Sequence, residues 1–186
     1  MSNEDIRVEM KKKRSSMPYT DVETYSDLIF NKILSLDFVF RHDSFFVYKD
    51  FKNEVQTRKL IEYLLSLGKT VAHPITVGEN MIPAIPNGAD VSYDRFGIEI
   101  PKSYSVMESA EVIFVPLLAC DTSKNRIGFG KGYYDRYMQG KSALKIGLCY
   151  DFQVVDGISA NEWDVPLDVI ITEKRIMGLS HLGITE

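Results

Sequence analysis

At 186 residues the chain has room for one substantial core, and its 45% apolar and 26% charged side chains set it apart from disordered, coiled-coil and collagen-like classes. Its 22 basic and 26 acidic residues leave a net charge of −4, which argues against a general nucleic-acid binder, although Lys11, Lys12, Lys13 and Arg14 form a local basic patch. Cys120 and Cys149 lie in apolar runs and read as buried free thiols, and no Cys/His spacing points to zinc. The polar start Met1-Ser2-Asn3-Glu4-Asp5 has no apolar leader, and no apolar run reaches the ~18–20 residues of a membrane span. A cytoplasmic location is expected.

In chain order, residues 4–17 and 20–36 read as helices. In the second, Val22, Tyr25, Ile29, Ile33 and Leu36 make one apolar face, with Thr20 or Asp21 as cap after the breaker Pro18. Ser44 to Tyr48 reads as a buried strand. From Val55 the set Val55, Leu60, Ile61, Leu64 and Leu65 describes a helix ending at Gly68, a residue suited to a left-handed cap. Lys69 to Pro74 is a second strand, and strand–helix–strand at this spacing indicates parallel α/β architecture. Between about 75 and 105, four prolines (Pro83, Pro86 and Pro101, with Pro74 at the edge) and three glycines predict a loop-rich insertion with a small hairpin. Glu111–Pro116, Lys145–Tyr150 and Asp168–Thr172 are further strands, the first continuously apolar as a central parallel strand should be. A short polar tail follows Gly178. The expected fold is thus a single α/β domain over residues 1–186 around a mostly parallel sheet.

The chemistry concentrates between Arg126 and Arg136. Gly128, Gly130 and Gly132 alternate before a helix-compatible stretch from Tyr133, so that close backbone approach and successive amides could cradle an anion. Arg126 offers a bidentate fork and Lys131 a mobile point charge for phosphate oxygens, while Asp135 could hold a divalent cation beside them. A Walker A loop is excluded because Gly132 follows Lys131, and a dinucleotide fingerprint belongs at the first strand–helix turn. Alternating glycines alone also serve as a plain structural turn; the flanking cations and the aspartate favour the phosphate site.

The same window resembles the signature of the 5-formyltetrahydrofolate cyclo-ligases, or 5,10-methenyltetrahydrofolate synthetases: Val115-Pro116-Leu117-Leu118-Ala119-Cys120-Asp121, then Arg126-Ile127-Gly128-Phe129-Gly130-Lys131-Gly132-Tyr133-Tyr134-Asp135-Arg136. Arg7 and Arg14 on a basic first helix, Glu54-Val55-Gln56-Thr57, Pro74, Phe96-Gly97-Ile98 and Pro166-Leu167-Asp168-Val169-Ile170-Ile171-Thr172 extend the likeness along most of the chain. Departures are Asn125, where Gly is common, Asn3 near a common Lys, Ile100 before Pro101 with the acidic residue displaced to Glu99, and Trp163 where His is common.

The resemblance implies a three-layer α/β sandwich that converts 5-formyltetrahydrofolate to 5,10-methenyltetrahydrofolate with ATP and Mg2+, releasing ADP and phosphate. The γ-phosphoryl group would pass to the formyl oxygen, and folate N10 would then attack the activated carbon. It further implies that Arg126, Gly128, Phe129, Gly130, Lys131, Gly132, Tyr133 and Asp135 carry the ATP loop, with Arg126, Lys131 and Tyr133 as catalytic candidates. Arg7, Lys11 and Arg14 would lie over the triphosphate, and Asp135 and Asp168 would hold magnesium. Glu54 would bond the pterin's donor edge, and Met81, Phe96, Tyr133 and Tyr134 would wall the reduced folate. Taken alone, Lys11 to Lys13 are a solvated helix face, Glu54 a helix-start residue, and Met81 and Phe96 ordinary core. Trp163 reads as core filling ahead of a place beside the adenine. His73 is a pocket candidate, and His42, His73 and His181 make no metal set. No nucleic-acid or membrane partner is expected, and the assembly is expected to be a monomer or weak homodimer. The rivals are a phosphosugar isomerase or CoA-transferase-like enzyme, which needs no ATP hydrolysis, and a non-catalytic nucleotide- or folate-binding module.

Overall fold

In the computed structural model, which describes residues 1–183, α1 (Asn3–Ser15) starts from a capping box: Ser2 Oγ accepts the Asp5 N–H, and the Asp5 carboxylate accepts the Ser2 N–H. Acidic residues in its first turn and basic ones in its last follow the helix dipole. α2 (Tyr19–Leu34) is capped by Pro18 itself, not by Thr20 or Asp21. Proline's fixed φ suits a helix start, and its carbonyl accepts the Asp21 and Val22 amides.

β1 (Ser44–Val47) leads to α3 (Arg58–Ser66), which begins three residues after the expected Val55. Its first residues are tied elsewhere: Thr57 N–H donates to Asp50 and Thr57 Oγ1 to the Tyr48 carbonyl. Gly68, at φ +73°, closes α3 in the left-handed region as expected.

The segment 75–105 departs from the loop-rich expectation. β2 (Thr70–Val77) and β3 (Asn80–Pro86) form a long antiparallel hairpin, β4 (Val91–Tyr93) and β5 (Glu99–Pro101) a separate ribbon, and β6 (Tyr104–Val106) pairs with β3. Pro74 lies past Ala72, the last β2 residue paired to β1, so its missing N–H costs no bond there.

β7 (Val112–Pro116), the short β8 (Ala119–Cys120) and β9 (Arg126–Ile127), α4 (Tyr133–Met138), β10 (Leu144–Leu148), β11 (Val169–Ile171) and β12 (Ile176–Met177) complete the chain. The expected polar tail instead turns through a 3-10 helix, Leu179–Leu182; residues 184–186 lie outside the described part.

The main sheet runs β12-β11-β10-β7-β1-β2-β3-β6. Its five central strands, from β11 to β2, are parallel, and antiparallel strands extend it at both ends. Alternation along β1 sends Phe45 and Val47 to one face, against Ile29 and Ile33 of α2 and Leu60 and Leu64 of α3. Phe46 goes to the other face, with Met81 and Met138. Burying each such side chain is worth roughly 1.5–3 kcal/mol, so helices on both faces hold this single α/β domain as a three-layer sandwich. α1 stands outside these layers, with Ile6 and Met10 against Leu118, Ala119 and Ile127. The two cysteines are buried free thiols, Sγ to Sγ 3.6 Å, as expected.

Candidate active site

The chain places β2 on one side of β1, but β7, β10 and β11 build out on the other, so strand order reverses between β1 and β7. In open α/β sheets the crevice at the carboxyl ends of such strands is where ligands bind. A cavity of about 860 Å3 opens there, lined by Tyr48 after β1, His73 and Pro74 of β2 and Pro116 ending β7.

One end of the cavity is basic. Asp121, buried, shapes the β8–β9 turn by accepting the Asn125 and Ile158 amides. The chain then presents Gly128, Gly130 and Lys131 to the cavity, with Arg7 reaching from α1 to donate from Nε to the Gly128 carbonyl at 3.0 Å. Gly130 has φ +94°, and a Cβ there would stand 3.7 Å from the Arg7 guanidinium, filling the space between loop and arginine. Arg126 is held by Asp135 (Nη2 to Oδ1, 2.8 Å), while its buried Nε has no partner among the described residues. Lys131 is exposed and makes no ion pair among the described residues. Three cations, an unspent buried donor and a backbone bare of Cβ at Gly128, Gly130 and Gly132 fit a polyphosphate.

Gly132, left-handed at φ +66°, starts α4. Arg136 of α4 donates to the Glu79 carbonyl at the β2–β3 turn at 2.6 and 3.1 Å and lies over the Tyr133 ring. Tyr133 OH meets the Gly78 carbonyl at 3.4 Å. This clamp ties the loop to the hairpin. In the sequence, only the spacing of four between Gly132 and Arg136 signals this role.

Other lining residues are apolar or carboxylic. Glu54, Met81, Phe96 and Tyr134 all line it. Glu54 is 6% exposed and accepts the Phe51 N–H at 2.9 Å. Burial pushes its carboxyl up to about 7, against the opposing pull of Arg14 and the Phe51 amide. Burial likewise raises the Tyr48 and Tyr134 phenols. His73 donates from Nδ1 to the Val47 carbonyl at 2.9 Å, and burial lowers its pKa, so it stays a neutral imidazole with Nε2 as acceptor. Lys49 and Glu99 pair across the mouth at 2.6 Å, which gives the displaced acidic residue a partner that its spacing did not reveal.

Several expected site residues lie elsewhere. Asp168 is outside the cavity, at the start of β11, accepting the Lys145 N–H at 2.7 Å; it does not meet Asp135. The reason is topological: Asp168 precedes a parallel strand whose carboxyl end faces the site. Asp135 uses Oδ1 for both Arg126 and the Val165 amide, which leaves Oδ2 out of these two bonds. Among the described residues no three His, Cys, Asp or Glu converge, so a magnesium ion would sit here only on one carboxylate together with phosphate oxygens and water. Lys11 and Arg14 stack over Phe129 rather than lining the cavity, at 5.9 and 5.2 Å. Trp163, expected in the core, is 59% exposed on the cavity rim.

Relatives share both the sequence and this architecture. A family model for the 5-formyltetrahydrofolate cyclo-ligase family matches residues 1–173. The chain is 28% identical over 180 residues to the 5-formyltetrahydrofolate cyclo-ligase of Haemophilus influenzae, covering 90% of this chain and 96% of that protein. It is 30% identical over 141 residues to that of Escherichia coli K12, with 70% and 78% covered. The solved structure of Aquifex aeolicus 5,10-methenyltetrahydrofolate synthetase superposes with a TM-score of 0.85 at 29% identity, over 95% of this chain and 92% of that one. With a family model matched over residues 1–173 and the whole architecture shared with a solved relative, the chain belongs to the 5-formyltetrahydrofolate cyclo-ligase family.

Proposed function

We propose that the chain catalyses the ATP- and Mg2+-dependent conversion of 5-formyltetrahydrofolate to 5,10-methenyltetrahydrofolate, with release of ADP and phosphate. The observation that carries this reading is the mixed lining of the cavity. Arg7, Arg126 and Lys131 share with Glu54 one space of about 860 Å3 that would take a nucleotide tail and a pterin together.

An N-formyl amide is a poor electrophile, and its oxygen is a poor leaving group until it is phosphorylated. Transfer of the γ-phosphoryl group to that oxygen needs in-line placement and neutralisation of spreading charge more than covalent help. Arg126 and Lys131 supply the charge: Arg126 as a fork held by Asp135, Lys131 as a mobile cation able to follow the transferred group. Gly128, Gly130 and Gly132 let the backbone approach, and Phe129 packs this loop against Lys11 and Arg14 of α1. Tyr133, tied to the hairpin through Gly78, fixes the loop against the folate side. Glu54 accepts from the pterin's amino group and ring N–H, with Met81, Phe96 and Tyr134 against the rings. Magnesium neutralises phosphate charge when bound, and Asp135 is the carboxylate placed to hold it. Folate N10 then attacks the activated carbon and phosphate leaves. In the same reading the enzyme acts in the cytoplasm, as a monomer or weak homodimer, on a small-molecule substrate. No helix among the described residues is long and apolar enough to cross a membrane.

The test is the rise in methenyl absorbance with 5-formyltetrahydrofolate and magnesium, with and without ATP. Product should require ATP and fall at least about 100-fold in Lys131→Ala, the usual scale for losing one transition-state electrostatic contact. No product with intact ATP and folate present would overturn the assignment in favour of a binding module.

A further inference from the structure

Of the basic residues on α1, Arg14 alone is buried, at 6% exposure, while Lys11, Lys12 and Lys13 face solvent. It does not line the cavity. Its guanidinium lies between the Phe129 ring, at 5.2 Å, and Glu54: Nη1 meets the Leu117 carbonyl at 3.4 Å and Nη2 stands 3.9 Å from Glu54 Oε1. The Arg14 carbonyl accepts the Asn53 side chain at 2.9 Å, which pins the end of α1 to the residue before Glu54.

The other groups around Glu54 give it no positive charge. Asp50 in the same turn raises its carboxyl further, and Tyr48 after β1, Tyr134 on α4 and Tyr150 after β10 are phenols held neutral by burial. Tyr150 OH donates to the Glu54 backbone carbonyl, not to the carboxylate. The Phe51 amide occupies Oε2. Arg14 is therefore the one cation, among the described residues, that acts on the carboxylate.

We propose that Arg14 is a positioning residue for the folate half of the site, acting through the Glu54 carboxylate, and not a ligand of the nucleotide phosphates. This rests on the reading that Glu54 takes the donor edge of the pterin. A carboxyl facing two N–H donors must be ionised; protonated, it sets an O–H against them. Burial already opposes ionisation, and removing Arg14 leaves that opposition unrelieved. The sign follows: without the cation, Glu54 keeps its proton to higher pH, and folate binding weakens over the neutral range.

The experiment measures KM for 5-formyltetrahydrofolate and for ATP between pH 5.5 and 9 in the wild type, Arg14→Gln, Arg14→Lys and Glu54→Gln. In the wild type, folate KM should rise as pH falls through about 7, the region in which Glu54 takes up its proton. Arg14→Gln should move that rise upward by about one pH unit and increase folate KM about tenfold near neutrality, with ATP KM unchanged. Arg14→Lys should restore most of the profile. Should Arg14→Gln not fold, Arg14→Lys decides alone, by a smaller displacement in the same direction. A rise in ATP KM, or a folate profile unmoved in Arg14→Gln and Arg14→Lys, overturns the proposal. If Glu54→Gln leaves folate KM intact, the pterin reading of Glu54 is what fails, and the Arg14 role falls with it.

Discussion

A carboxyl that is 6% exposed, with one amide donor and a guanidinium 3.9 Å away, ionises at a cost that the unfolded chain does not bear. Glu54 rises from an ordinary 4.5 to about 7, so the folded state holds its proton after the unfolded state has released it. Stability from this group is therefore fully present below about pH 4.5 and is lost as pH climbs through 7, the reverse of the usual carboxylate. Between pH 5.5 and 8 the wild type should lose about 2 kcal/mol from this source, and Glu54→Gln should flatten the decline. Urea unfolding at the two pH values measures it; an equal decline in both proteins would show that Glu54 is not the group responsible. At this scale the place of Lys131, Arg126 and Glu54 on the cavity wall was legible, because each stands in a motif whose chemistry demands its type. Arg14, Asp168 and Trp163 were not. A helical arginine reads the same whether it faces phosphate or a buried carboxylate, and an aspartate beside a strand gives no sign of which end of the sheet it occupies.

The parallel strands were legible as elements because burial on both faces writes a continuous apolar run, as in Val112 to Val115. The antiparallel extension was legible only as a small hairpin. Its prolines carry the signature of loops, and only the register of β2 on β3, with Pro74 opposite Pro83, shows that the pattern belongs to strands. Connections between elements have their own constraints. Gly178, at φ +101° after β12, sits where a Cβ would come within 2.2 Å of the Asp168 carbonyl oxygen, whereas Gly157 has open space around it. Gly178→Ala should cost at least about 2 kcal/mol, since backbone must move and the conformation is strained, and Gly157→Ala should stay within about 0.5 kcal/mol. Thermal or urea unfolding of the pair separates them, and equal stabilities would contradict the close approach at Gly178.

Across the whole molecule, stability should be uneven. β7 and β10 are hydrogen-bonded on both sides and packed on both faces, whereas among the described residues the β4–β5 ribbon pairs only with itself. Ribbon amides should exchange with solvent at least about 100-fold faster than those of β7, and 5-formyltetrahydrofolate should slow them, because Phe96 and Ile98 line the cavity. Mass-spectrometric exchange reads both; a ribbon as protected as β7 without ligand would mean that it opens only with the domain. The overall sandwich was legible from the alternation of strands and helices. The switch point was not, since strand order depends on pairings between segments far apart in the chain.

The docking of α1 beside the nucleotide loop also bears on how the protein is made. Ile6 and Met10 find their partners in Leu118, Ala119 and Ile127. A ribosome adding ~5–20 residues per second therefore leaves the first helix without its partners for roughly 6–20 seconds. For that interval the nascent chain carries an apolar stripe with nothing to cover it, beside a cluster of lysines that keeps it soluble. The first helix synthesised cannot dock until Ile127 has been made, and its arrival brings Arg7 to Gly128, so completion of the nucleotide loop waits on the segment that follows β7.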